Sequence, residues 1–152
     1  NQDMESITLK EYINLGIAVD TPNGLIVPYL KNAQEKSIKE ISEEISLLAE
    51  AAKSRKLKPT DLQGASFSIS SLGAIGGKFF TPIINSPEVA ILGISKTYKK
   101  VVEVEKNFEA RDYLPISLSY DHRVINGVYA VQFTSRLGQA LLDLKLIEES
   151  FI

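Results

Sequence analysis

The chain carries a single histidine among 152 residues. It stands in Ser119-Tyr120-Asp121-His122-Arg123-Val124-Ile125-Asn126-Gly127, between a carboxylate and a guanidinium. An imidazole, with an ordinary pKa of about 6.5, can take a proton from a thiol or hydroxyl at neutral pH once a neighbour fixes its tautomer. Asn126-Gly127 reads as the opening of a helix after a strand, so His122 falls in a strand-to-helix loop, where side chains often face a cleft. Spacing alone leaves a second reading open, in which Asp121, His122 and Arg123 form a hydrogen-bonded loop network with no catalytic role.

Other residue groups carry weaker signals. Ser66, Ser68, Ser70 and Ser71 alternate with apolar residues, the pattern of one polar strand face. The glycines from Gly73 to Gly77 lack the Lys-Ser/Thr pair of a phosphate loop and predict a tight turn. Glu43-Glu44 and the basic run Lys53 to Lys58 predict solvated surfaces. The absence of cysteine excludes a disulfide framework, a thiol nucleophile and a cysteine-ligated zinc site, and one histidine excludes a histidine-rich metal site.

Composition bounds the rest. With 44% hydrophobic residues the chain has material for a sizeable core, and one domain is the expectation at this length. A net charge of −2 gives no electrostatic footprint for nucleic acid or an anionic membrane. No apolar run approaches the roughly 20 residues that span a bilayer, and Asn1 to Glu5 lacks the regions of a signal peptide. A cytoplasmic protein, starting as a cut fragment without an initiator methionine, is the expectation.

The elements that must position these groups follow from periodicity. Ile7, Leu9 and Tyr12 to Val19 predict an N-terminal strand, and Asp20-Thr21-Pro22-Asn23-Gly24 predicts a hairpin turn into Leu25-Ile26-Val27. Ser37 opens a capping-box spacing, and Ile38, Ile41, Ile45, Leu48, Ala49 and Ala52 recur at helical intervals, predicting a helix from Ile38 to about Arg55. Strands are expected near Ala65 to Ser70 and Glu88 to Ile94. Val101 to Val104 and Leu114 to Tyr120 are expected as an antiparallel pair around Lys106-Asn107. Ala130, Val131, Phe133, Thr134, Leu137, Ala140, Leu141 and Leu144 predict a second amphipathic helix. Two helices and six or so strands define a mixed α/β sandwich.

Four stretches carry a family resemblance: GIAVDTPNGLIVP (16–28), FSISSLGAIGG (67–77), FTPIINSPEVAILGISK (80–96) and ISLSYDHRVING (116–127). Together they resemble the catalytic domain of the dihydrolipoamide acyltransferases, the cores of 2-oxoacid dehydrogenase complexes, most closely the pyruvate-complex branch. The resemblance implies a two-layer, mixed-sheet fold of the chloramphenicol acetyltransferase type. It implies transfer of an acyl group, acetyl in this branch, between a lipoyl thiol and coenzyme A. His122 would be the general base, and Ser70, the first serine of S-S-L-G, would donate a hydrogen bond to the tetrahedral oxyanion. Where the family often has Asp, this chain has Asn126, which would orient its neighbours by hydrogen bonding; Asp121 and Arg123 would pair as scaffold.

The resemblance further implies that residues 1–152 are about the C-terminal two-thirds of the catalytic domain, without lipoyl or subunit-binding domains. It implies homotrimers with the active-site channel between subunits, His122 of one facing Ser70 of the next, assembled into a cubic or dodecahedral core that works with lipoyl domains and other complex subunits. Leu144, Leu146, Ile147, Phe151 and Ile152 would serve such an interface or fold back on their own core. Two other functions stay open: a catalytically silent assembly core, or a coenzyme A-dependent acyltransferase acting on a hydroxyl acceptor.

Overall fold

A computed structural model describes residues 6–143. A five-stranded mixed sheet holds it together, in the order β4-β1-β5-β6-β9. Its members are β1 (Leu15–Ile17), β4 (Tyr29–Leu30), β5 (Phe67–Ser71), β6 (Ala90–Ile94) and β9 (Ile116–Tyr120). The β1, β5 and β6 strands run parallel to one another, with β4 and β9 antiparallel at the edges. The interior strand β6 reads Ala-Ile-Leu-Gly-Ile, buried in its first four residues, as expected of a strand covered on both faces.

The predicted hairpin is present. β2 (Val19–Thr21) pairs antiparallel with β3 (Gly24–Ile26), and Gly24 supplies the positive φ of 109° that the turn requires. Helix α1 (Ile38–Lys53) starts at Ser37, whose Oγ accepts from the Glu40 amide while Glu40 accepts from the Ser37 amide. The Ser37 amide and, after it, the Ser37 hydroxyl donate to the Glu40 carboxylate and hold it below its ordinary range. The helix packs on β2 and β4. It stops two residues short of expectation because Arg55 takes a left-handed φ of 58°, and its guanidinium hydrogen-bonds to Asn23 in the hairpin turn. Helix α2 (Gly127–Leu142) lies against one face of the sheet, where Phe133 meets Phe67 with ring centroids 5.7 Å apart. Such a tilted pair contributes about 0.5–1.5 kcal/mol beyond its buried area.

Three expectations are corrected. The N-terminal strand begins only at Leu15; Ile7, Leu9, Tyr12 and Ile13 are exposed and unpaired in any ladder. Val101 to Val104 does not pair with the stretch ending at Tyr120. Instead β7 (Tyr98–Val104) forms a hairpin with β8 (Asn107–Tyr113), a strand not anticipated, while β9 pairs with β6. Nine strands are therefore described rather than six. Leu144, Leu146, Ile147, Phe151 and Ile152 lie outside the described residues.

Segment 72–89 crosses the sheet face opposite α2. Its Gly76 and Gly77 have φ of 136° and 86°, and Ile75 and Gly76 donate backbone hydrogen bonds to Leu72, so the glycine stretch is the tight turn its composition predicts. Further on, Phe80 and Pro82 lie against Gly93 of β6, where a β-carbon would meet the Phe80 ring at 2.9 Å.

Candidate active site

His122 sits in a turn that its own neighbours build. The Asp121 amide continues the β6–β9 ladder by donating to the Val89 carbonyl at 2.8 Å, and the Asp121 carbonyl then accepts from Val124 and Ile125 at 3.0 and 2.9 Å. The Asp121 carboxylate closes the turn from outside. It accepts from the Arg123 amide at 3.0 Å and from the guanidinium through Nε at 2.8 Å and Nη2 at 2.5 Å. Those side-chain and backbone bonds from Arg123 push the Asp121 carboxyl down to about 2, and the bonded carboxylate raises the guanidinium above its ordinary range. Between these two residues the imidazole of His122 is exposed, with the Tyr120 ring 5.7 Å from it, centroid to centroid. The pairing expected of Asp121 and Arg123 is thus observed.

Asn126 ends the turn and caps α2: its Oδ1 accepts from the Tyr129 amide at 3.0 Å. The cap fixes where the helix begins, and so how far His122 stands from its first turn. His122 and Asn126 stand four positions apart in one loop.

Ser70 lies elsewhere. It is half-buried on β5, paired in register with Gly93, which in turn faces Ser117 on β9. From that level to Asp121 the β9 path covers four residues, or about 13 Å, and two strand spacings, about 10 Å, separate β5 from β9. The two short side chains cannot span such a gap. Within one folded chain the structure brings His122 and Asn126 together and leaves Ser70 apart. No cluster of three or more metal-ligating side chains occurs among the described residues, and no helix among them is long and apolar enough to cross a membrane.

The sequence reading missed a polar cluster beside Ser70. Ser68, treated there as one of a polar face, is fully buried, and its hydroxyl donates to the Glu88 carboxylate at 2.9 Å. Asn85 donates to the same oxygen at 3.0 Å. A glutamate directly ahead of a buried apolar run was the available signal.

The chain belongs to the 2-oxoacid dehydrogenases acyltransferase (catalytic domain) family, matching it over residues 1–148. Among curated relatives, the dihydrolipoyllysine-residue acetyltransferase component of the pyruvate dehydrogenase complex of Cupriavidus necator is 54% identical over 95% of this chain. The same component of Azotobacter vinelandii is 52% identical over 94% of it. The chain spans only 26% and 22% of those two proteins. Among solved structures, Azotobacter vinelandii dihydrolipoamide acetyltransferase superposes with a TM-score of 0.89 at 52% identity, over 94% of this chain and 59% of that one. The cubic core of a pyruvate dehydrogenase multienzyme complex superposes at 0.91 and 51% identity, over 97% and 60%.

Proposed function

We propose that this chain transfers an acetyl group between the lipoyl thiol and coenzyme A, as the catalytic domain of a dihydrolipoamide acetyltransferase. The observation that carries the reading is a shared set of intervals. A serine, a histidine and an asparagine were studied for their role in the catalytic mechanism of the Azotobacter vinelandii enzyme. They are spaced along that chain as Ser70, His122 and Asn126 are along this one.

The chemistry follows from the side chains. The exposed imidazole of His122 takes the proton from the attacking thiol, and the thiolate adds to the thioester carbonyl. The Ser70 hydroxyl donates a hydrogen bond to the oxyanion that forms; a preorganised donor of this kind is worth about 2.7–4 kcal/mol. Collapse of the intermediate expels the second thiolate, which recovers the proton from the imidazolium. Asn126 contributes by hydrogen bonding, since its amide carries no charge.

Because Ser70 and His122 do not meet within one chain, the reading requires that the site be completed between copies. A homotrimer with an intersubunit channel supplies that, and the cubic core among the structural relatives supports larger assembly. Coenzyme A and a lipoyl domain are the proposed partners in the reaction, and the cytoplasm is the proposed location.

The test is acetyl transfer from acetyl-CoA to dihydrolipoamide by the assembled protein and its His122→Ala variant. Transfer by the parent, reduced by the roughly 10²–10⁴-fold that a general base contributes, is the expected result. Equal turnover by both would remove His122 from the mechanism. Turnover of an alcohol in place of dihydrolipoamide would reassign the acceptor.

A further inference from the structure

Ser68 and Ser70 leave β5 on the same face of the sheet, two residues apart. Ser68 is 0% exposed and Glu88, to which it donates, is 8% exposed. The space for this contact is reserved by Gly16 of β1, registered directly against Ser68: a β-carbon on Gly16 would stand 2.3 Å from Ser68 Oγ. Glu88 Oε1 accepts from both Ser68 and Asn85, while Oε2 is enclosed without a hydrogen-bonding partner among the described residues.

Stability alone does not favour such a knot. An apolar pair of similar volume would fill the same space without desolvating a carboxyl group. What the knot supplies is register. A one-residue slip of a strand sends every side chain to the opposite face. For β5, a slip would turn Ser70 toward α2, break the Ser68–Glu88 bond and bring an apolar side chain, Phe67 or Ile69, against Gly16.

We propose that Glu88, acting through Ser68, is a positioning residue for acyl transfer: the buried bond pins β5 in the register that presents Ser70 on the face crossed by segment 72–89. The inference rests on Ser70 being the oxyanion donor.

The experiment measures kcat, KM for acetyl-CoA and thermal stability of the assembled enzyme, using Ser70→Ala, Ser68→Ala, Glu88→Leu, Glu88→Gln and the Ser68→Ala/Glu88→Leu double variant. Ser68→Ala and Glu88→Leu are each expected to lower kcat about tenfold, short of the roughly 10²-fold that a 1 Å misplacement can cost. Their KM stays within about twofold of the parent, since binding does not run through this bond. The double variant is no slower than the worse single one, because both remove the same contact. Glu88→Gln keeps the parent kcat, because its amide oxygen accepts the same two hydrogen bonds. A slow Ser70→Ala beside Ser68→Ala and Glu88→Leu at the parent rate overturns the positioning role alone; Ser70→Ala at the parent rate overturns the Ser70 assignment with it. Glu88→Gln as slow as Glu88→Leu also overturns the role. Should Glu88→Leu fail to fold, Ser68→Ala and Glu88→Gln decide the matter.

Discussion

Two regions of this molecule present polar groups for chemistry, and they are held in opposite ways. Ser70 sits on a central strand whose neighbouring hydroxyl is locked, in full burial, to a glutamate 20 residues away. His122 sits in an exposed turn clamped by residues immediately beside it, Asp121 and Arg123. The first arrangement depends on long-range packing; the second is built almost entirely from local sequence. A donor that must point at developing charge tolerates little movement, and the interior of a sheet is the stiffer mount. On the proposed reading, a base that meets its thiol only when substrate and a second copy arrive can sit on a surface turn, provided the turn keeps its shape.

The largest expected effects separate the two groups by mechanism. On the proposed reading His122→Ala removes the proton acceptor, so the loss of turnover, roughly 10²–10⁴-fold, comes with a flattened pH profile. Ser70→Ala removes one oxyanion donor: kcat falls about 10²–10³-fold while the pH profile keeps the parent's shape and KM for coenzyme A stays close to the parent's. Steady-state kinetics across about pH 5.5 to 9 distinguish them. Identical profiles for the two variants would mean that the regions do not divide the labour in this way.

A smaller effect tests the clamp around His122. Arg123 pushes the Asp121 carboxyl from 3.8 to about 2. A carboxyl whose folded pKa is depressed stabilises the fold above its unfolded pKa, and that contribution is lost as pH falls through the folded value. The parent is therefore expected to exceed Asp121→Asn in melting temperature by a constant margin from pH 5 upward. The margin shrinks between about pH 4 and 2. Since the pair is exposed, added salt narrows the margin at neutral pH too. Melting curves of both proteins against pH and salt check this; a margin that widens on acidification would contradict the clamp. The Ser68–Glu88 bond, enclosed and away from ions, should show no comparable salt response.

The same contrast explains what could be read from the sequence. The β2–β3 hairpin announced itself through Asn23-Gly24, α1 through Ser37 and Glu40, and the His122 turn through Asp121, Arg123 and Asn126. In each, the partners lie within five positions of one another. Where the deciding partner is distant, the reading failed. β8 reads Asn-Phe-Glu-Ala-Arg-Asp-Tyr and is exposed at every position, so it buries no face that could leave an alternating pattern. β9 shows strand composition, but nothing local tells that its ladder partner is β6 instead of β7. Ile7 and Leu9 are apolar and exposed, so hydrophobicity there misled. Ser68 looked like any polar strand residue because Glu88, which gives it meaning, lies beyond an intervening loop. Ser70 and His122 were paired through family resemblance, and no spacing rule within one chain could have joined residues that one chain holds apart.

The smallest effect tests whether the His122 region answers to its own anchors or to the stability of the whole. Both long helices begin with a side-chain cap: Ser37 Oγ accepts from the Glu40 amide at 3.3 Å, and Asn126 Oδ1 from the Tyr129 amide at 3.0 Å. Replacing either by alanine is expected to cost about 1 kcal/mol of stability, the usual worth of such a cap. The consequences for turnover should differ, because α2 starts from the turn that carries His122 whereas α1 packs on β2 and β4. Ser37→Ala is therefore expected to melt earlier with unchanged kcat, and Asn126→Ala to melt earlier with reduced kcat. Asn126→Asp, whose carboxylate caps about as well, recovers the melting temperature. Paired melting and kinetic measurements on the three variants decide it. If Ser37→Ala slows turnover as much as Asn126→Ala, activity follows global stability, and the local construction of the His122 turn has no separate mechanical meaning.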